Sequence, residues 1–145
     1  MKRLILMALV LFISSCATYP SPEVENNAEL YYNRGVAWQK KGDFDQAVSD
    51  YNKAIEINPR YAMAYNNRGN TFQTNGQYDK AISDFTKAIE INPGFDGAYN
   101  NRGVAYYCKG EYDKAWEDVY KAQSLGYQVH PGFLKALREA SGRQR

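Results

Sequence analysis

Apolar residues are distributed along this chain in two distinct ways. Leu4 to Ile13 is an unbroken apolar run. From Tyr31 onward the apolar positions instead recur three and four apart, the spacing of one face of an α-helix. Tyr65, Gly69 and Phe72 form one such stripe, and Tyr78, Ala81, Ile82, Phe85, Ala88 and Ile89 form a second. Gly76 between them breaks the helix and permits a turn. Pro59 and Pro93 end each second helix and begin the next unit. The pattern predicts helices over 28–41, 44–57, 62–75, 78–91, 96–109 and 112–125. A seventh, over 131–141, carries Phe133, Leu134, Leu137 and Ala140 on one side. The fold class is all-α. Gly69 and Ala81, both small, are expected to face each other and let two helices approach closely.

The spacing of the stripes is itself periodic. Shifted by 34 residues, segment 28–61 is identical to 62–95 at 18 positions, and 62–95 to 96–129 at 14. Composition alone does not produce such matching at a fixed period. The recurring skeleton is Tyr31, Arg34, Gly35, Trp38, Gly42, Ala47, Tyr51, Ala54 and Pro59. It returns as Tyr65, Arg68, Gly69, Phe72, Gly76, Ala81, Phe85, Ala88 and Pro93, and again as Tyr99, Arg102, Gly103, Tyr106, Gly110, Ala115 and Ala122. This skeleton resembles the tetratricopeptide repeat (TPR) family over about 100 residues. The resemblance implies a right-handed superhelical solenoid of three helix-turn-helix repeats, at 28–61, 62–95 and 96–129. The helix within 130–145 is then a cap over the last repeat, as solenoids require, with a basic tail. Lys135, Arg138, Arg143 and Arg145 make that end a solvated basic face. Two departures stand out. Arg occupies the usually aliphatic position before each repeat glycine. Val119 stands in the third copy where an aromatic is usual, and Leu125-Gly126-Tyr127 follows where Asn-Pro stood before.

The apolar run at the start has a separate reading. Ten residues are too few to span a bilayer core as a helix. With Lys2 and Arg3 before it, the run suits a signal peptide. It ends in Ile13-Ser14-Ser15-Cys16, which resembles the lipobox of bacterial lipoproteins. That resemblance implies removal of 1–15, a lipidated Cys16 and attachment to the cell envelope. Ala17 after the cysteine implies the outer membrane, facing the periplasm, in a Gram-negative cell. Residues 16–27 contain Pro20 and Pro22, lack helical periodicity and read as a tether.

Charge narrows the partners. Lys and Arg total 18 and Asp and Glu total 16; without Lys2 and Arg3 the two signs balance. A nucleic-acid binder normally carries a basic surface, so nucleic acid is not an expected partner. Two cysteines and a single His130 leave little for a metal site or a histidine-based catalyst. No phosphate-binding glycine loop and no hydrolase or metalloprotease motif appears. No cofactor, small-molecule substrate or enzymatic activity is expected. His130, before Pro131, is expected to cap a helix or lie at the surface. Cys108 is expected to be a small, buried or half-buried residue.

The remaining candidates are polar groups at the repeat period. Arg34, Arg68 and Arg102 recur with Asp50, Asp84 and Asp118 beside the stripes of facing helices. They are expected to form structural ion pairs, within a repeat or to its neighbour. Asn33, Asn67 and Asn101 precede each arginine and lie about 160–200° from the core stripe at 100° per residue. A carboxamide there meets a peptide N–H and C=O together, or is kept by repeat duplication or bonds the neighbouring repeat. The placement resembles the asparagine ladder of the TPR superhelix in the O-linked N-acetylglucosamine transferase. Tyr32, Asn66 and Asn100 are expected at the groove edge, and Asn70 within the groove. The family resemblance also implies an exclusion. TPR domains that hold chaperone C-terminal carboxylates use Lys, Asn, Asn, Lys and Arg at five groove positions. Those positions here are Tyr32, Val36, Asn67, Gly97 and Asn101, of which only Asn67 matches. The expected function is an adaptor that holds a peptide or protein segment in its groove. The alternative is a permanent structural subunit of a cell-envelope assembly, such as a secretin pilot or a peptidoglycan-enzyme scaffold.

Overall fold

A computed structural model describes residues 27–143. The signal peptide, Cys16, most of the tether and the last two residues lie outside the described residues. Seven helices follow in order: α1 (Ala28–Lys41), α2 (Phe44–Ile57), α3 (Ala62–Thr74), α4 (Tyr78–Ile91), α5 (Asp96–Cys108), α6 (Tyr112–Ser124) and α7 (Pro131–Ser141). The described residues contain no strand. Within each repeat two helices pair: α1 with α2, α3 with α4 and α5 with α6. Each later first helix also packs on the second helix before it, α3 on α2 and α5 on α4. The result is three stacked hairpins, with α7 covering the last.

Local sequence explains the turns. Gly76 adopts φ +72° in the turn from α3 to α4, a left-handed conformation that an L side chain rarely tolerates. The Gln77 N–H then donates to the Phe72 carbonyl at 2.8 Å, closing the end of α3. Helices α3, α5 and α6 end one residue earlier than the periodicity suggested, and the next residue of each still donates to a carbonyl of the last turn. Asn27 caps α1 by accepting from the Leu30 N–H at 3.0 Å. His130 caps α7 in the same way: its Nδ1 accepts from the Gly132 N–H at 3.1 Å.

The glycine in each first helix has a packing role. A Cβ on Gly69 would lie 2.7 Å from the Phe85 ring, and one on Gly35 would lie 2.7 Å from the Tyr51 ring. Both rings are fully buried. Gly69 therefore makes room for Phe85, not for the expected partner Ala81; the glycine admits a large ring rather than a second small residue. Glycine in a helix costs about 1 kcal/mol relative to Ala. Burying an aromatic side chain offsets this, at about 1.5–3 kcal/mol.

The core is largest at the capped end. Trp116, Val119, Val129 and Leu137 form one buried cluster with Ala115 and Ala122. Phe133 and Leu134 of α7 pack against it. The Trp116 Nε1–H donates to Ser141 Oγ at 3.0 Å, and Arg143 reaches Asp113 at 2.6 Å. These two bonds fasten the C-terminal end of α7, and the packing of Phe133 and Leu134 holds its start. Cys108 corrects an expectation, since its thiol is exposed and free. It ends α5 at the place where Lys40 and Thr74 stand in the other repeats, also exposed.

Candidate functional site

Helices α1, α3 and α5 touch one another along the stack, and three arginines fix how they stand against the helices behind them. Arg34 Nε and Nη2 donate to Asp50 at 2.6 and 2.5 Å. Arg68 makes the same two bonds to Asp84 at 2.7 and 2.6 Å, and Arg102 to Asp118 at 2.8 Å each. All three aspartates are buried. Parallel paired bonds of this kind fix geometry as well as charge. Each pair forms within its own repeat, which resolves the choice left open by the sequence.

The third arginine nitrogen works across repeats. Arg68 Nη1 donates to Asn52 Oδ1 at 2.6 Å, and Arg102 Nη1 to Thr86 Oγ1 at 3.0 Å. Each guanidinium thus joins its own second helix to the second helix of the repeat before it. Burial raises the Asp118 carboxyl above the ordinary aspartate range, against the opposing pull of Arg102. The bond to Asp118 raises Arg102 in turn.

The asparagines form a connected line. The Asn101 Nδ2–H donates to Asn66 Oδ1 at 3.1 Å, Asn66 Nδ2 to Asn67 Oδ1 at 3.2 Å, and Asn67 Nδ2 to Tyr32 Oη at 3.0 Å. This relay crosses all three repeats. It commits one N–H of each carboxamide to protein, while a primary amide carries two. Asn67 and Asn101 are therefore junction residues before they are ligand contacts, and Asn66, expected at the groove edge, is buried instead. Asn33 is exposed and Asn100 half-buried, and neither has a side-chain bond among the described residues. Asn70 is half-buried on the same helix as Asn66 and Asn67, and Met63 at its start is exposed.

Tyr61 joins the site without any warning from the stripe pattern. Its ring lies 5.0 Å from that of Tyr32, and Tyr32 lies 6.0 Å from Tyr51. Burial raises the Tyr32 hydroxyl above its usual pKa, and the bond from Asn67 partly opposes this. Gln39 was missed too: it accepts from the Tyr51 hydroxyl at 2.7 Å. Its recurrence as Gln73 one period later was the available signal. No cluster of metal-ligating side chains occurs among the described residues. No described helix is long and apolar enough to cross a membrane.

The comparisons with known proteins agree with this geometry. Tetratricopeptide repeat models match residues 28–61 and 62–95, and a second one matches 85–117. The chain is 53% identical over 34 residues to an uncharacterized protein of Methanocaldococcus jannaschii, a match covering 23% of this chain and 40% of that one. The TPR2B domain of yeast Sti1, in a complex with pHsp70, is 30% identical with a TM-score of 0.71, covering 81% of this chain and 98% of that domain. A crystal structure of MamA is 37% identical with a TM-score of 0.68, covering 70% and 59%. The first TPR of Spaghetti (RPAP3), bound to the HSP90 peptide SRMEEVD, shares the fold at a TM-score of 0.74 and 23% identity, covering 81% and 93%. The chain belongs to the tetratricopeptide repeat family.

Proposed function

We propose that this protein is a membrane-tethered adaptor that holds an extended peptide or protein segment in its concave groove. The observation that carries the reading is the polar relay from Asn101 through Asn66 and Asn67 to Tyr32. It gives the groove a fixed line of carboxamides: Asn67 and Asn101, both half-buried, each keep an N–H to meet a peptide backbone, while the buried Asn66 holds them in place. Gripping a backbone asks little of the ligand's side chains, which suits reversible binding of more than one client. The RPAP3 and Sti1 domains are described with HSP90 and pHsp70 ligands. The ligand here differs in chemistry, because the groove positions that would clamp a terminal carboxylate hold Tyr32, Val36, Gly97 and Asn101. The tether is a lipid on Cys16, and the place is the cell envelope, the outer membrane in a Gram-negative cell. The Ile13-Ser14-Ser15-Cys16 pattern supports both.

The test is a photo-crosslinking residue placed in whole cells at Asn70, in the groove, or at Lys87, exposed on α4. The expected result is a discrete crosslinked protein from Asn70 alone. Equal crosslinking from both positions, or from neither, overturns the groove reading. Detergent-phase partitioning of Cys16→Ala tests the anchor separately. Wild type is expected in the detergent phase and the variant in the aqueous phase; no difference removes the anchor.

A further inference from the structure

The two repeat junctions inside the molecule define what a first helix looks like when another repeat covers it. On α3 and α5 the covered face consists of Ala64 with Thr71, and Ala98 with Ala105, all fully buried. The asparagine and arginine between them donate backward, Asn67 to Tyr32 and Arg68 to Asn52 in one case, Asn101 to Asn66 and Arg102 to Thr86 in the other. Helix α1 presents the same four positions as Leu30, Asn33, Arg34 and Ala37, and all four are exposed. The Arg34 side chain is 53% exposed, against 19% and 18% for its counterparts. Its Nη1 has no acceptor among the described residues, whereas both counterparts have one. The far end of the solenoid is closed by α7; this end is an open repeat junction with its donors in place.

We propose that this face binds a second copy of the same chain, α1 against α1, with the helices antiparallel. The face is self-complementary in that arrangement and in register. Centred between residues 33 and 34, the pairing sets Leu30 of one copy opposite Ala37 of the other, a large side chain against a small one. It sets Arg34 opposite Asn33 of the second copy, whose Oδ1 supplies the acceptor that Arg34 Nη1 lacks. The helix ends complement each other as well. Glu29 lies in the first turn of α1 and Lys40 and Lys41 in its last. Antiparallel packing brings the acidic turn of each copy beside the basic turn of the other and opposes the two helix dipoles. Two-fold symmetry makes every contact twice and closes the assembly at a dimer. Tyr32 and Val36 lie outside the seam, so the groove stays open and the dimer offers two of them. This inference does not rest on what the groove binds.

The test is sedimentation of the full chain in mild detergent over a wide range of concentration. Wild type is expected to pass from monomer to dimer as concentration rises. Leu30→Glu, which forces a charge into the seam, is expected to weaken dimerisation by about a hundredfold, while its melting curve matches wild type when both are dilute enough to be monomeric. Glu29→Lys is expected to weaken it less. Mixing that variant with a copy carrying Lys40→Glu and Lys41→Glu is expected to restore association as a mixed dimer. A wild-type monomer at every concentration overturns the proposal, as does a dimer that Leu30→Glu leaves intact. A monomer whose melting temperature falls in Leu30→Glu also overturns it, because the chain then covers this face with its own preceding residues.

Discussion

In the second repeat, α3 and α4 close on an aromatic ring, with Phe85 buried where a Cβ on Gly69 would stand 2.7 Å away. In the third, Val119 replaces that ring, and a Cβ on Gly103 would stand 3.3 Å from the Ala115 carbonyl and the Asp118 Cβ and 3.8 Å from Val119 Cγ2. The helix pair is the same and the arginine staple is the same. What differs is where the core volume lies. The second repeat has repeats on both sides, and its ring fills the space between its own helices. The third has α7 beyond it, and Trp116, Val129 and Leu137 place the bulk outward, between the repeat and its cap. An internal repeat is thus packed for its own hairpin, and the terminal one for its lid.

The staple is the shared element, so breaking it has the largest expected effect. Asp84→Ala leaves the Arg68 guanidinium mostly covered and without its carboxylate, and a loss of about 3–5 kcal/mol is expected. Asp118→Ala should behave alike. Asp50→Ala strands an arginine that is already half in water, so its loss should be nearer the surface range of about 1 kcal/mol. Urea unfolding of the three variants checks the order; equal losses would show that the exposure of the stranded arginine does not set the cost.

The glycines sharpen the contrast. Gly69→Ala must push a buried ring aside, and about 1–3 kcal/mol of destabilisation is expected from overpacking. Gly103→Ala asks only for a few tenths of an ångström, while Ala regains about 1 kcal/mol of helix propensity. It is expected to be neutral within about 1 kcal/mol. Thermal melts of the two variants side by side decide the matter, and a larger loss at Gly103 would reverse the account.

Much of this was legible in the sequence, for particular reasons. A 34-residue period imposes one local geometry three times, so helices and the Arg–Asp spacing of 16 could be read directly. Which residues partner across a repeat junction was not legible. The Arg68–Asn52 and Asn67–Tyr32 bonds depend on how hairpins stack, and stacking leaves no periodic mark on a single strand of sequence. Gly69 was matched with the wrong partner for the same reason: the stripes show that two faces meet, not which residues interlock. Asn33, Asn67 and Asn101 look equivalent in sequence, yet the latter two hold a junction while the first faces open space.

The smallest expected effect isolates a single hydroxyl. In the first repeat the buried Tyr51 donates to Gln39 Oε1 at 2.7 Å. The second repeat keeps the glutamine, as Gln73, but has Phe85 in place of the tyrosine. Gln73 Oε1 is accordingly buried with no hydrogen-bond partner among the described residues. A buried acceptor left without a donor costs more than the bond itself contributes elsewhere. Phe85→Tyr restores the donor at the equivalent position, where the first repeat already accommodates the extra oxygen beside Gly35. The variant is expected to be more stable by about 0.5–1.5 kcal/mol. Tyr51→Phe is expected to lose a similar amount, and the double variant to return near wild type, since the sites lie one repeat apart. The measurement is the urea midpoint of all three. A destabilised Phe85→Tyr would mean that the second hairpin closes more tightly on its ring than the first, and that the two differ in shape as well as in one hydroxyl.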